Sequence, residues 1–190
     1  MLYSDTTISE CVEFCKNNNS EVLVGQTYVM RRGDRETFDE IENSIKYRWE
    51  SRHGRLCTLS PSDNDIDYLC HLSDEKCKEL IASRPIISTL SVFYNMKVIR
   101  RTKGFPEQYR LMEDMPYWPE LVGMGIKFYF SHIRMTRYEL SGISNGGAHS
   151  EEFMRDYFDV MKNTYIKNEV RGGLLNHIEK KYRIRKAYYF

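Results

Sequence analysis

The residues in this sequence best suited to chemistry are cations interleaved with tyrosines. They fall into four groups: Arg31, Arg32 and Arg35; Arg100, Arg101 and Lys103; Arg134 and Arg137; and the tail Lys180-Lys181-Tyr182-Arg183-Ile184-Arg185-Lys186-Ala187-Tyr188-Tyr189. Phosphate oxygens are bound by Arg and Lys, and unstacked bases lie on tyrosine rings and guanidinium planes. Interleaved Arg and Tyr is therefore the composition of a nucleic-acid or nucleotide-phosphate surface. The residues expected to carry it are Arg100, Arg101, Lys103, Arg134, Arg137, Lys181, Tyr182, Arg183, Arg185 and Lys186. Several of these groups sit at the ends of expected strands, where one edge of a sheet would gather them. The competing expectation is a solvated face whose charges pair with the acidic first half of the chain.

A second candidate is the run Ser60-Pro61-Ser62-Asp63-Asn64-Asp65-Ile66-Asp67, with carboxylates at alternate positions. Asp63, Asp65 and Asp67 offer oxygen ligands to a divalent cation, Mg or Mn. An EF-hand is excluded, because its loop needs Gly at the sixth position and that position holds Tyr68. Asp65-Ile66-Asp67 preceded by Gly54 resembles the nucleotidyltransferase signature, in which two Asp on a strand hold the metal on a nucleotide phosphate. The chain departs from that family at Gly54-Arg55, where the family has Ser or Gly after the Gly, and it offers no third carboxylate. The alternative is that Asp63 and Asp65 cap the next helix.

Arg48 and His53, four residues between them, resemble the catalytic pair of HEPN ribonucleases, in which Arg stabilises charge and His moves a proton. Only that pair matches. Cys57, Cys70, His71 and Cys77 supply the atoms of a tetrahedral zinc site, but no C-x-x-C pair occurs, and Cys70 and Cys77 fall at helical core positions, where cysteine packs as a small hydrophobe. His132 and His149 are the histidines that a catalytic cysteine would need, with no local nucleophile signature beside them. Neither a common phosphate-cradling Gly loop nor a G-x-S-x-G elbow is present. Gly142-Ile143-Ser144-Asn145-Gly146-Gly147 reads as a flexible loop, since Glu151 and Glu152 already occupy the positive end of the helix that follows.

These groups are carried by 190 residues with 41% hydrophobic and 29% charged residues, which suits one folded domain spanning 1–190 with a basic, aromatic segment from about 180. The net charge of +1 conceals an asymmetry: Asp34 to Glu79 holds twelve acidic and seven basic residues, and Arg171 onward holds six basic and one acidic. The five cysteines are odd in number and the opening Met-Leu-Tyr-Ser-Asp turns polar at once. A reducing, cytoplasmic compartment is therefore expected, or a nuclear one in a eukaryotic host, with no export signal and no membrane association.

The positioning elements follow from periodicity. Thr7 and Glu10 have capping-box spacing, and Ile8, Cys11, Val12 and Cys15 predict a first helix ended by Asn17-Asn18-Asn19. Glu21 to Met30 predicts a strand. Asp34 would cap a helix carrying Phe38, Ile41, Ile45 and Trp49, and Arg55 to Leu59 predicts a short strand. The acidic segment after Ser62 opens another helix, and Ser73 caps a further one whose Cys77, Leu80 and Ile81 face inward and which Pro85 closes. Ile86 to Arg101 predicts two strands with a turn at Asn95-Met96, or one long strand. Gly104 to Pro119, with three of the five prolines, predicts a loop or linker. Ile126, Phe128 and Phe130 alternate with polar positions as a strand does. Ser150 with Glu151 and Glu152 starts a long helix with Phe153, Tyr157, Val160, Met161 and Tyr165 inside, and Gly172-Gly173 stops it before a last short helix.

The expectation is an α+β domain with a mainly antiparallel sheet of four or five strands covered by helices on one face. Three functions compete: a nucleic-acid or nucleotide-phosphate binder; a non-catalytic protein-interaction or regulatory module; and a metal-dependent phosphate-chemistry enzyme at the aspartate run. Composition does not fix an oligomeric state.

Overall fold

The computed structural model describes residues 2–30, 63–83, 85–139 and 151–166. Several expected features lie outside those residues: the Asp34 helix, the Arg55–Leu59 strand, the Ser141–Gly147 loop, the Arg48/His53 pair, Cys57, the last helix, and the tail with Lys181, Tyr182, Arg183, Arg185 and Lys186. Among the described residues the fold is α+β, with a mixed three-stranded sheet in the order β2-β1-β3. β1 is Val22–Met30, β2 is Val92–Tyr94 and β3 is Phe128–Glu139. β2 runs antiparallel to β1, and β3 runs parallel to it over almost its whole length. The expected four or five mainly antiparallel strands are not seen among the described residues, whose three-stranded sheet is mixed: a long connection holding helices separates β1 from β3, and such a crossover allows a parallel return.

The run Val22-Leu23-Val24 is entirely buried, as befits the middle strand of a sheet covered on both faces. Leu23 packs under α1 (Thr7–Asn18), with Cys11, Phe14 and Met135. Val22 and Val24 join Phe128 and Phe130 in the main core, under α2 (Asp63–Cys70), α3 (Asp74–Ser83) and α5 (Tyr117–Gly123). Helices therefore cover both faces rather than one. A third cluster joins α6 (Glu151–Val160) to Tyr109, Met112 and Met115.

Single side chains decide several boundaries. In α1, Thr6 rather than Thr7 is the cap residue, and Thr7 is a buried helical residue whose Oγ1 accepts the Ser4 N–H at 3.0 Å. Ile8, expected inside, is exposed, and Cys11 is buried. Asn19 ends the helix in the left-handed region at φ 48°, which Asn tolerates better than most residues. Ser73 caps α3 as expected, its Oγ accepting the Lys76 N–H, and Cys77, Leu80 and Ile81 are buried. No second strand follows Tyr94, because the Asn95 side chain accepts the Lys97 N–H at 3.0 Å and starts α4 (Met96–Ile99) instead. Gly104 to Pro116 is irregular, and Pro119 belongs to the first turn of α5, where a missing N–H costs nothing. The stretch is tied down: the buried carboxylate of Asp156 accepts the Arg110 N–H at 3.2 Å, and Tyr109 Oη donates to Asp159 at 2.6 Å.

The β1–β3 register slips twice. Val24 pairs with Phe130 but Gln26 with Arg134, and Thr27 then pairs with Thr136, so β3 carries extra residues between Phe130 and Thr136. Such bulges redirect side chains, and this one needs Gly25 opposite it. A Cβ on Gly25 would collide with the Ile133 carbonyl oxygen and lie 2.8 Å from Met135 Cγ.

Candidate functional site

Along the outer side of β3 runs an open groove of about 950 Å³. Its floor is Lys127 and β3 from Phe128 to Arg134; one wall is α1 with Glu10, Phe14 and Asn18, and the other is the α2–α3 corner from Leu69 to Asp74. The amino-terminal segment closes one end, where Leu2 bridges antiparallel to Thr136 and the Tyr3 N–H donates to the Met135 carbonyl at 3.0 Å.

At that end four side chains cluster, Tyr3 and Arg134 lining the groove and Tyr28 buried beside them with Arg137. Arg134 Nη1 donates to Tyr3 Oη at 2.9 Å, and its guanidinium lies 5.5 Å from the Tyr3 ring centre and 5.0 Å from that of Tyr28. The Arg137 guanidinium lies 4.7 Å from the Tyr3 ring, and the two rings are 5.7 Å apart. Tyr28 Oη donates to Gln26 Oε1 at 2.5 Å, which fixes that ring. The Tyr3 hydroxyl, then the Tyr28 ring, hold the Arg134 guanidinium more firmly charged than usual. Guanidinium on tyrosine is favourable in its own right, and Arg134 remains exposed. At the other end Lys127 Nζ lies 4.9 Å from the Tyr129 ring, and its ammonium is likewise held charged by Tyr129.

Between the two ends stand two histidines, both anchored to Asp67. His132 Nε2 lies 3.0 Å from Asp67 Oδ1, and His71 Nδ1 lies 2.6 Å from the Asp67 carbonyl oxygen. The His132–Asp67 pair is more than half exposed, so it contributes at most about 1 kcal/mol to stability.

The structure brings Arg134 and Arg137 together and leaves Arg100, Arg101 and Lys103 elsewhere. Those three are exposed just after α4, and Arg101 pairs with Glu21 at 3.2 Å, at the start of β1. Arg137 pairs in register with Tyr28, seven residues further along. At ~3.3 Å per residue the two groups lie roughly 23 Å apart, at opposite ends of one strand. Asp63, Asp65 and Asp67 all fall within α2, a helix and not the strand that the nucleotidyltransferase resemblance implies. Among the described residues no group of three or more His, Cys, Asp or Glu has the arrangement of a metal site. Burial pushes the Cys11, Cys70 and Cys77 thiols up to about 11, the behaviour of packed thiols rather than thiolate ligands. Among the described residues no helix is long and apolar enough to cross a membrane.

Sequence reasoning missed Tyr3 and Tyr28 as partners of these cations, and it missed the anchoring of His71 and His132 to Asp67. The high tyrosine count was the only signal for the rings, and nothing local announced that Asp67 would meet His132. Comparison of the chain with protein-family models, with curated proteins and with solved structures finds no significant match.

Proposed function

We propose that this protein binds nucleic acid or nucleotide phosphates at the end of the groove lined by Tyr3 and Arg134, which Tyr28 and Arg137 support. The observation that carries the proposal is the exposed Arg134 guanidinium held between two tyrosine rings with a second guanidinium beside it. The partly exposed Tyr3 ring and the Arg134 guanidinium plane offer surfaces to a base, with Tyr28 buried behind them, and the paired cations offer charge to phosphate, which together suit a single strand. Arg100, Arg101 and Lys103 would then meet a different stretch of the polyanion, and the tail from Lys181 to Lys186 adds charge in sequence terms alone.

Fluorescence anisotropy with random single- and double-stranded DNA and RNA at two salt concentrations tests this reading. Binding should weaken steeply with salt, and Arg134→Gln should lower the slope of log affinity against log salt by about 0.7 to 0.9, the share of one phosphate. Absence of binding at low salt overturns the proposal.

A non-catalytic interaction module is the second reading. It is favoured by the outer edge of β3, which already accepts an added segment by backbone pairing at Leu2 and Tyr3. Its mark is tight, nearly salt-independent binding to one protein. Calorimetry with Mg or Mn tests the remaining proposal, metal-dependent phosphate chemistry at Asp63, Asp65 and Asp67.

A further inference from the structure

We infer that the groove cuts single-stranded RNA without a metal, using His71 and His132 as an acid–base pair. The inference rests on the nucleic-acid reading above and names the substrate class and the chemistry. Both rings are oriented by one residue, Asp67, the first through its backbone carbonyl and the second through its carboxylate. A carbonyl oxygen only accepts, so His71 Nδ1 carries the hydrogen and its Nε2 is left as an acceptor. A carboxylate also accepts, so His132 presents Nε2–H to Asp67 and has Nδ1 for exchange with a ligand. Both histidines are exposed and line the same groove, with Lys127 at one end and Arg134 at the other. A strand laid along β3 would place phosphates between these cations and pass a backbone unit in front of the two rings.

In that arrangement His71 Nε2 takes the proton of a ribose 2′-hydroxyl as its oxygen attacks phosphorus. The bond from phosphorus to the 5′-oxygen of the next nucleotide breaks, and that oxygen receives a proton from His132 in its imidazolium form. The products are a 2′,3′-cyclic phosphate and a 5′-hydroxyl, and exchange with solvent returns the histidines to their starting states. Lys127 and Arg134 offset the charge that develops on the phosphate oxygens. No oxidant, metal or second substrate is consumed.

The test uses the full chain with a short mixed-sequence RNA labelled at its 5′ end, in EDTA, read on a denaturing gel. The same sequence as DNA, which lacks the attacking hydroxyl, serves as control. RNA cut to cyclic-phosphate ends and intact DNA are expected. His71→Ala and His132→Ala should each slow cutting about a hundredfold or more, with RNA affinity retained and the circular dichroism spectrum unchanged. Added imidazole should restore part of the His132→Ala activity. RNA that binds but is not cut overturns the acid–base inference and leaves the binding proposal standing; failure to bind any nucleic acid overturns both. Cutting that vanishes in EDTA, or that persists at the wild-type rate in either folded variant, also overturns the inference.

Discussion

Replacing Gly25 by Ala should be among the most destabilising single-methyl additions in this protein. The added Cβ would meet the Ile133 carbonyl oxygen well inside contact distance, with Met135 Cγ at 2.8 Å and Met135 Cε at 3.0 Å. Met135 is a flexible side chain and can retreat, but it is 4% exposed and packs against Leu23 and Cys11, so its room is small. The carbonyl is backbone, in the bulged part of the strand that pairs with β1, and moving it means moving the register. Overpacking costs typically 1–3 kcal/mol, and a backbone obstacle puts this site near the top, at about 3 kcal/mol. For a chain of this size that is a fall in Tm of roughly 6–12 °C. Gly123→Ala is the internal control: it ends α5 with no atom within 4 Å of its added Cβ, and it should be neutral or stabilising by up to about 1 kcal/mol. Urea titration followed by circular dichroism reads both, with unchanged slopes and displaced midpoints. If Gly25→Ala loses less than about 1 kcal/mol, the bulge is not held by that close approach and the reasoning fails.

Three other predictions concern the interior. Burial raises the Asp114 carboxyl above the usual range, against the opposing hydrogen bond donated by the Thr89 hydroxyl. A raised acid contributes stability in full below its unfolded value and loses it as pH rises through the folded one, so Asp114→Asn should gain on the wild type between acid and neutral pH; a difference that stays flat with pH in denaturant titrations refutes this. With thiols near 11, Cys11, Cys70 and Cys77 hold only about a thousandth of their population as thiolate at pH 8. Iodoacetamide should therefore label them slowly until urea is added, as peptide mass spectrometry will resolve. Trp118 is 2% exposed and its Nε1 meets no hydrogen-bond partner among the described residues, so Trp118→Phe discards an orphaned donor along with apolar area. It should cost clearly less than the about 3–5 kcal/mol expected of Trp118→Ala, and equal costs in thermal melts would refute the assignment of an unpaired indole.

Periodicity made legible those elements whose character is local. The apolar run at Val22–Val24, the Ser73 cap with Cys77, Leu80 and Ile81 behind it, and the alternation through Phe128 and Phe130 are each properties of a few adjacent residues. Strand order and direction are not local, so the parallel partnership of β1 and β3 had no signal within either strand. The hairpin expected at Asn95-Met96 failed for a different reason. One Asn carbonyl facing the Lys97 N–H suffices to start a helical turn, and Ile, Val and Tyr around it read as strand by composition all the same. Pro119 misled in the same way, since proline is a breaker inside a helix and a welcome residue in its first turn.

For the candidate site the limit of legibility is physical and can be located on β3. Arg134 and Arg137 were recognisable by type, but what gives them character lies far off in sequence: Tyr3 beyond the other end of α1, Tyr28 on the neighbouring strand, and Asp67 on α2 for their neighbour His132. A regular strand paired residue for residue with β1 would carry the register set by Val24 and Phe130 straight on. The extra residues between Phe130 and Thr136 break that register and bring Arg134 opposite Gln26 and Arg137 opposite Tyr28. The alternation that identified the strand therefore stops predicting positions at the bulge, and the residues read here as functional begin there. Gly25 is what makes the bulge sterically possible, so a residue with no side chain and no chemistry sets where the chemistry stands. On that argument Gly25→Ala should disturb the stacking of Arg134 on Tyr28 as well as stability, and polyanion affinity measured on the fraction still folded should fall with it.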